Sequence, residues 1–108
     1  MCQYNLFLGT CAVMEVISGR VVFNWDIDGY YTYWKKSNDR LVFQHNTEPK
    51  LCLFYNRNWR VDTCTTLTHP STVGLIRAQG ANQQNPQDLA WIELNYSTPD
   101  ATIVVKCK

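Results

Sequence analysis

The sequence has 108 residues, of which 18% are charged, and a formal net charge of +1. That length suits one domain with one hydrophobic core, here taken as residues 1–108. The near-neutral balance argues against a basic surface for nucleic acid, and no run approaches the ~18 apolar residues of a helical membrane span, so neither partner is expected.

Helical periodicity is nearly absent, and short runs rich in aromatic and β-branched residues recur at the spacing of all-β domains. In chain order the runs predict strands at Tyr4–Leu8, Cys11–Ile17, Val21–Trp25, Tyr30–Trp34 and Leu41–His45. A hairpin follows, and Val73–Ala78, Leu89–Asn95 and Thr102–Cys107 complete the set. Ser18-Gly19, Asp28-Gly29, the stretch from Lys35 to Asp39, Glu48-Pro49 and Thr98-Pro99-Asp100 supply turn chemistry between them. Gln79 to Asp88 is amide-rich and polar and reads as an exposed loop, with room at Pro86-Gln87-Asp88 for one short helical turn. The expected fold is all-β, a small antiparallel sandwich or partly open barrel of about eight to ten short strands, stabilised by disulfides.

The hairpin is the run from Leu51 to Cys64, in which two β-prone segments flank Asn56-Arg57-Asn58. Alternation sends Leu51, Leu53 and Tyr55 to one face and Cys52 and Phe54 to the other. Folding about the turn brings Cys52 and Cys64 nearly opposite each other, within the separation a disulfide spans. Such a bridge contributes roughly 3 kcal/mol by chain entropy, the alternative being two separate buried thiols. On the strand Tyr30–Trp34, Tyr30 and Trp34 share one face, Tyr31 and Tyr33 the other. Aromatics on both sides mean a central strand or a row exposed to a ligand.

Five cysteines in so short a chain favour an oxidising compartment, hence a secreted, extracellular protein. Met1-Cys2-Gln3-Tyr4 lacks a basic start and a long apolar core, so the sequence reads as cytosolic or as beginning at a mature secreted domain; the cysteines favour the second. None of the cysteines has zinc spacing, so no metal is expected. Asn95-Tyr96-Ser97 is an N-glycosylation acceptor triplet, consistent with a glycoprotein.

Several separated pieces carry a resemblance. They are Cys11, Glu15-Val16-Ile17-Ser18-Gly19, Asp28-Gly29-Tyr30-Tyr31, Arg40-Leu41-Val42-Phe43, Phe54 to Val61, Gly74-Leu75-Ile76-Arg77-Ala78, Pro86-Gln87-Asp88-Leu89-Ala90-Trp91 and Thr102 to Cys107. In that order the chain resembles a loosely defined family of small secreted β modules in extracellular proteins of marine invertebrates and protists. The resemblance implies an extracellular, disulfide-held binding or adhesion module with Cys11 paired to Cys107, and it carries no enzymatic activity. Cys2 is then the odd thiol. The family's Cys-Pro is Asn85-Pro86 here, and Cys52 and Cys64 are additional to its pattern.

No cofactor and no catalytic set are expected. His45 and His69, with Glu48, Glu15 or Glu93 and Arg60 or Arg77, are ingredients of a small secreted ribonuclease, a lesser alternative whose geometry nothing in the sequence fixes. Asp26-Ile27-Asp28-Gly29 matches the opening of a calcium loop, but the closing ligands are missing and a turn cap is the better reading. The aromatic set of Trp25, Tyr30, Tyr31, Tyr33, Trp34, Tyr55, Trp59 and Trp91 is the strongest feature. Aromatic plates beside Asn and Arg are what a small carbohydrate-binding, lectin-like module uses, while the same rings also serve as core mass. Trp34 and Trp91 are expected in the core. The expected ligand contacts are Trp59, Arg57, Asn56 and Asn58 at the hairpin tip, with Tyr31 or Tyr33 beside them. The partner is then a cell-surface or matrix glycan, with protein–protein adhesion as the alternative.

Overall fold

A computed structural model describes residues 11–67, 74–80 and 84–108. The expected strand Tyr4–Leu8, Cys2, His69 and Val73 lie outside the described residues. Ten strands run in order: β1 (Val13–Ile17), β2 (Val21–Val22), β3 (Trp25–Asp26), β4 (Gly29–Ser37), β5 (Arg40–His45), β6 (Leu51–Asn56), β7 (Asn58–Thr63), β8 (Ile76–Ala78), β9 (Trp91–Glu93) and β10 (Val104–Cys107). One 3-10 turn, Cys64–Thr66, follows β7. The fold is all-β. Eight strands form one antiparallel sheet in the order β10-β1-β4-β5-β6-β7-β8-β9, curled into a nearly closed barrel, and β2 and β3 form a separate ribbon.

Several expected boundaries move, each for a local reason. Val21–Trp25 is not one strand, because Phe23 and Asn24 both take positive φ (52° and 69°) and fold it into a two-residue hairpin pairing Val22 with Trp25. The turn expected over Lys35 to Asp39 shrinks to Asn38-Asp39, also with both φ positive, and β4 runs on to Ser37. In the central hairpin Arg57, not an Asn, adopts the left-handed conformation (φ 68°), while Asn56 and Asn58 pair across it. Leu89–Asn95 contracts to Trp91–Glu93, and Pro86-Gln87-Asp88 forms a turn without helix.

The barrel interior holds Met14, Val16, Tyr31, Leu41, Phe43, Leu51, Leu53, Trp59, Val61, Ile76, Trp91 and Val105, all buried. The opposite face of β5 and β6 is covered too: Val42, Cys52, Phe54 and Leu67 form a smaller buried cluster with Cys64 beside it. This two-sided burial is why Leu51 to Tyr55 is apolar without a break rather than alternating. Cys52 and Cys64 are disulfide-bonded with Cα atoms 5.1 Å apart, and Cys11 and Cys107 with Cα atoms 5.7 Å apart.

The sheet's two edges, β9 and β10, meet at a seam. Asp100 N–H donates to the Trp91 carbonyl oxygen (2.8 Å) across it. Arg20 reaches over from the β1–β2 turn. Its Nη1 donates to Glu93 Oε1 (2.6 Å) and Asp100 Oδ2 (2.8 Å), and its Nη2 to Thr102 Oγ1 (2.6 Å). One side chain thus ties β9 to the loop leading into β10.

Candidate functional site

The residues expected at a hairpin-tip site do not converge on a surface. Trp59 is fully buried in the barrel core, edge-on to Tyr55 at 6.0 Å. Its position opposite Tyr55 puts it on the inward row with Leu53 and Val61, and this corrects its expected role as a surface contact. Tyr31 is likewise fully buried, its hydroxyl donating to the Ile27 carbonyl oxygen (2.6 Å). Burial raises its phenol pKa well above the ordinary tyrosine range, with the nearby Asp28 and Asp26 charges adding to it. Tyr33 is half-buried against the core. The two asparagines serve the turn: Asn56 Nδ2 donates to the Leu67 carbonyl oxygen (3.1 Å), and Asn58 Oδ1 accepts from Arg60 Nε (3.2 Å) and Nη2 (3.0 Å). Arg57 is exposed at the tip, alone of this set. Trp91 is core as expected.

Trp34 is not core. It remains 42% exposed on the outward row of β4 that it shares with Tyr30 and Thr32, and a β-bulge lies at this point of the strand. Tyr33 pairs with Phe43 and Lys35 with Val42, so Trp34 is an extra residue with no partner on β5. A bulge re-aims the side chains around it. Lys35 ends with its Nζ 4.3 Å from the centroid of the Trp34 ring, on the same side of the strand as its neighbour.

The exposed ring lines a groove of about 370 Å³ together with Trp25, Gln44, Pro49, Lys50, Thr63, Cys64 and Thr65. Local bonds hold its walls. Gln44 Nε2 donates to the Pro49 carbonyl oxygen (2.8 Å), and Cys64 N–H donates to the Lys50 carbonyl oxygen (2.8 Å). The hydroxyls of Thr63 and Thr65 are 3.2 Å apart, and the Cys52–Cys64 disulfide ties this wall to β6. Two aromatic plates therefore sit in a largely apolar groove on a fixed frame, with Gln44, Thr63, Thr65 and Lys50 among the residues around them.

On its other side Trp25 borders a second, larger depression of about 570 Å³ with Asn24, Asp26, Asp28, His45, Thr47 and Glu48. His45 at its floor is a structural residue. Nδ1 accepts from the backbone N–H groups of Thr47 and Glu48 (both 3.1 Å), which leaves Nε2 to donate to the Asp28 carbonyl oxygen (2.7 Å). Asp28 caps the Ser18–Gly19 turn: Oδ1 accepts from Ser18 N (2.9 Å) and Oγ (2.6 Å), and Oδ2 from Gly19 N (2.7 Å). This is the turn cap expected of Asp26-Ile27-Asp28-Gly29, and the described residues hold no cluster of three metal-ligating side chains.

The candidate acid–base residues are dispersed. Glu15 lies 3.9 Å from Lys106, Glu93 is bound to Arg20, Arg77 Nη2 donates to the Tyr96 carbonyl oxygen, and Arg60 is buried beside the hairpin turn. Burial depresses the Arg60 pKa, an effect Asp62 opposes. No family model, curated protein or solved structure matches the chain.

Proposed function

We propose that the protein is a non-enzymatic extracellular recognition module that binds carbohydrate in the Trp25–Trp34 groove. The observation that carries this reading is the Trp34 ring, 42% exposed on the outward row of β4, in a groove that already holds a second tryptophan. A sugar ring offers an apolar C–H face to such a plate, while Gln44, Thr63, Thr65 and Lys50 offer hydrogen bonds to its hydroxyls. The walls are bonded in place, so little side-chain entropy is lost on binding. Two disulfides support an oxidising compartment. Asn95 sits in an exposed turn, as a glycan acceptor would, and among the described residues no helix is long and apolar enough to cross a membrane. The ribonuclease alternative has little to rest on, since both His45 nitrogens are bonded to backbone and Glu15, Glu93 and Arg77 lie apart. A glycan array read with wild type and Trp34→Ala tests the reading. Binding that disappears in Trp34→Ala is expected; binding that survives it places the site elsewhere.

Protein–protein adhesion is favoured by one other observation. Phe23, 77% exposed, stands at the tip of the β2–β3 ribbon beside exposed Val21, in a left-handed conformation that bulky residues avoid. Phe23→Asn relieves that strain. On the adhesion reading it raises the melting temperature and abolishes a protein contact; retained cell or matrix adhesion by the variant sets this reading aside.

A further inference from the structure

We infer that the groove selects an anionic saccharide, its carboxylate or sulfate group held by Lys35 and Lys50 while the sugar ring stacks on Trp34. This rests on the carbohydrate reading and adds the ligand's charge to it. Lys50 lines the groove directly, and Lys35 is folded over the Trp34 ring at 4.3 Å. No carboxylate is among the residues lining this groove. The acidic side chains instead lie beyond Trp25, where Asp26, Asp28 and Glu48 border the neighbouring depression. Trp25 thus stands between a largely apolar aromatic groove, with Lys50 in its wall and Lys35 over the Trp34 ring, and an acidic depression.

That division has two consequences for a ligand. A neutral sugar stacking on the Lys35-covered face of Trp34 displaces an ammonium from the ring and gives it nothing in return. An anionic sugar moves the same ammonium a short way into an ion pair, so the cation–π contact is exchanged rather than lost. The acidic depression repels the anionic group, which fixes it on the Trp34 side and leaves hydroxyl-bearing units to donate to Asp26 and Glu48. The net charge of only +1 means that no strong field from the whole molecule gathers polyanions, so a preference for them must come from these two lysines.

The test measures tryptophan fluorescence titrations of the full chain with four probes: cellohexaose, a hexagalacturonate, a chondroitin sulfate hexasaccharide and poly-L-glutamate. Wild type is compared with Trp34→Ala, Lys35→Gln, Lys50→Gln and the distant control Lys106→Gln, at low and high salt. We expect one or both acidic saccharides to bind more tightly than cellohexaose, and Trp34→Ala to abolish this. Lys35→Gln and Lys50→Gln should each weaken it roughly threefold to tenfold, the span between an exposed ion pair and a charge-assisted hydrogen bond. Lys106→Gln should leave it unchanged. Preference for hexagalacturonate identifies a carboxylate, and preference for the chondroitin hexasaccharide a sulfate. Equal, Trp34-dependent binding of neutral and acidic hexamers, indifferent to both lysines, overturns the charge inference while the carbohydrate reading stands. Equal weakening by Lys106→Gln overturns it as general electrostatics, and tighter binding of poly-L-glutamate overturns it in favour of an acidic peptide. If no saccharide binds, both readings fall.

Discussion

Trp34 and Trp59 are the same residue type in similar β-prone surroundings, yet one is exposed and the other fully buried. Substitution should separate them. Trp59→Ala empties the centre of the barrel and should cost about 3–5 kcal/mol, the usual range for deleting a large buried side chain. Trp34→Ala removes an exposed ring and a surface cation–π contact, and should stay within about 1 kcal/mol of wild type. Urea denaturation of both variants checks this, and comparable losses would mean that Trp34 is a packing residue. Gly29 offers a second test. Its φ of +131° is reached easily only by glycine, and a Cβ there would lie 2.9 Å from His45 Nε2, the atom bonded to the Asp28 carbonyl oxygen. Gly29→Ala should therefore destabilise by more than the ~1 kcal/mol typical of a point substitution. In a His45→Ala background, itself destabilised by the loss of the ring's hydrogen bonds, Gly29→Ala should cost less than in wild type, because the clashing ring is gone.

Among the elements, the seam between β9 and β10 is the part of the barrel that backbone pairing leaves open. Its closure rests on the Asp100 N–H bond to the Trp91 carbonyl oxygen and on Arg20 with Glu93, Asp100 and Thr102. Bonds from the Thr102 hydroxyl and backbone N–H, and then from Arg20, lower the Asp100 pKa from 3.8 to about 2. The folded value lies below the unfolded one, so the stabilisation is fully present above about pH 4 and is lost as pH falls through about 2. Melting curves of wild type and Asp100→Asn should show wild type ahead at pH 5 and the two converging near pH 2. A gap that persists at pH 2 would mean that Asp100 acts through shape rather than charge. Because the group is exposed, added salt should also narrow the gap at pH 5.

For the molecule as a whole, the two disulfides constrain very different lengths of chain. Cys11–Cys107 spans a sequence separation of 96 and Cys52–Cys64 one of 12. Chain entropy assigns the long loop about 4–5 kcal/mol and the short one about 3. The Cys11→Ala/Cys107→Ala pair should thus melt lower than Cys52→Ala/Cys64→Ala; the reverse order in calorimetry would overturn this. The two bridges also differ in what they hold. The long one joins the segment just before β1 to β10, and β1 and β10 pair along the sheet, whereas the short one anchors a wall of the groove. If the groove binds carbohydrate as proposed, losing the short bridge should therefore weaken that binding at temperatures where the fold survives.

Sequence alone determined the all-β class, because β-branched and aromatic runs punctuated by turn residues admit little else. It also determined the central hairpin and the nearness of Cys52 and Cys64, since strand alternation and a short turn bring them together; that they are bonded rather than two buried thiols is shown by the structure. The choice between sandwich and barrel was not local. It followed from β9 and β10 curling to a shared seam under Arg20, a contact between residues more than 70 positions apart. The site was equally hidden. Alternation puts Trp34 on one row with Tyr30, but that this row meets solvent depends on what packs against β4, and the break in register that turns Lys35 to the same side depends on β5. Trp59 failed for a different reason: nearness to a turn suggests exposure, but its place opposite Tyr55 puts it on the inward row with Leu53 and Val61. A strand's pattern can show that it has two faces; which face meets solvent is decided by what packs against it.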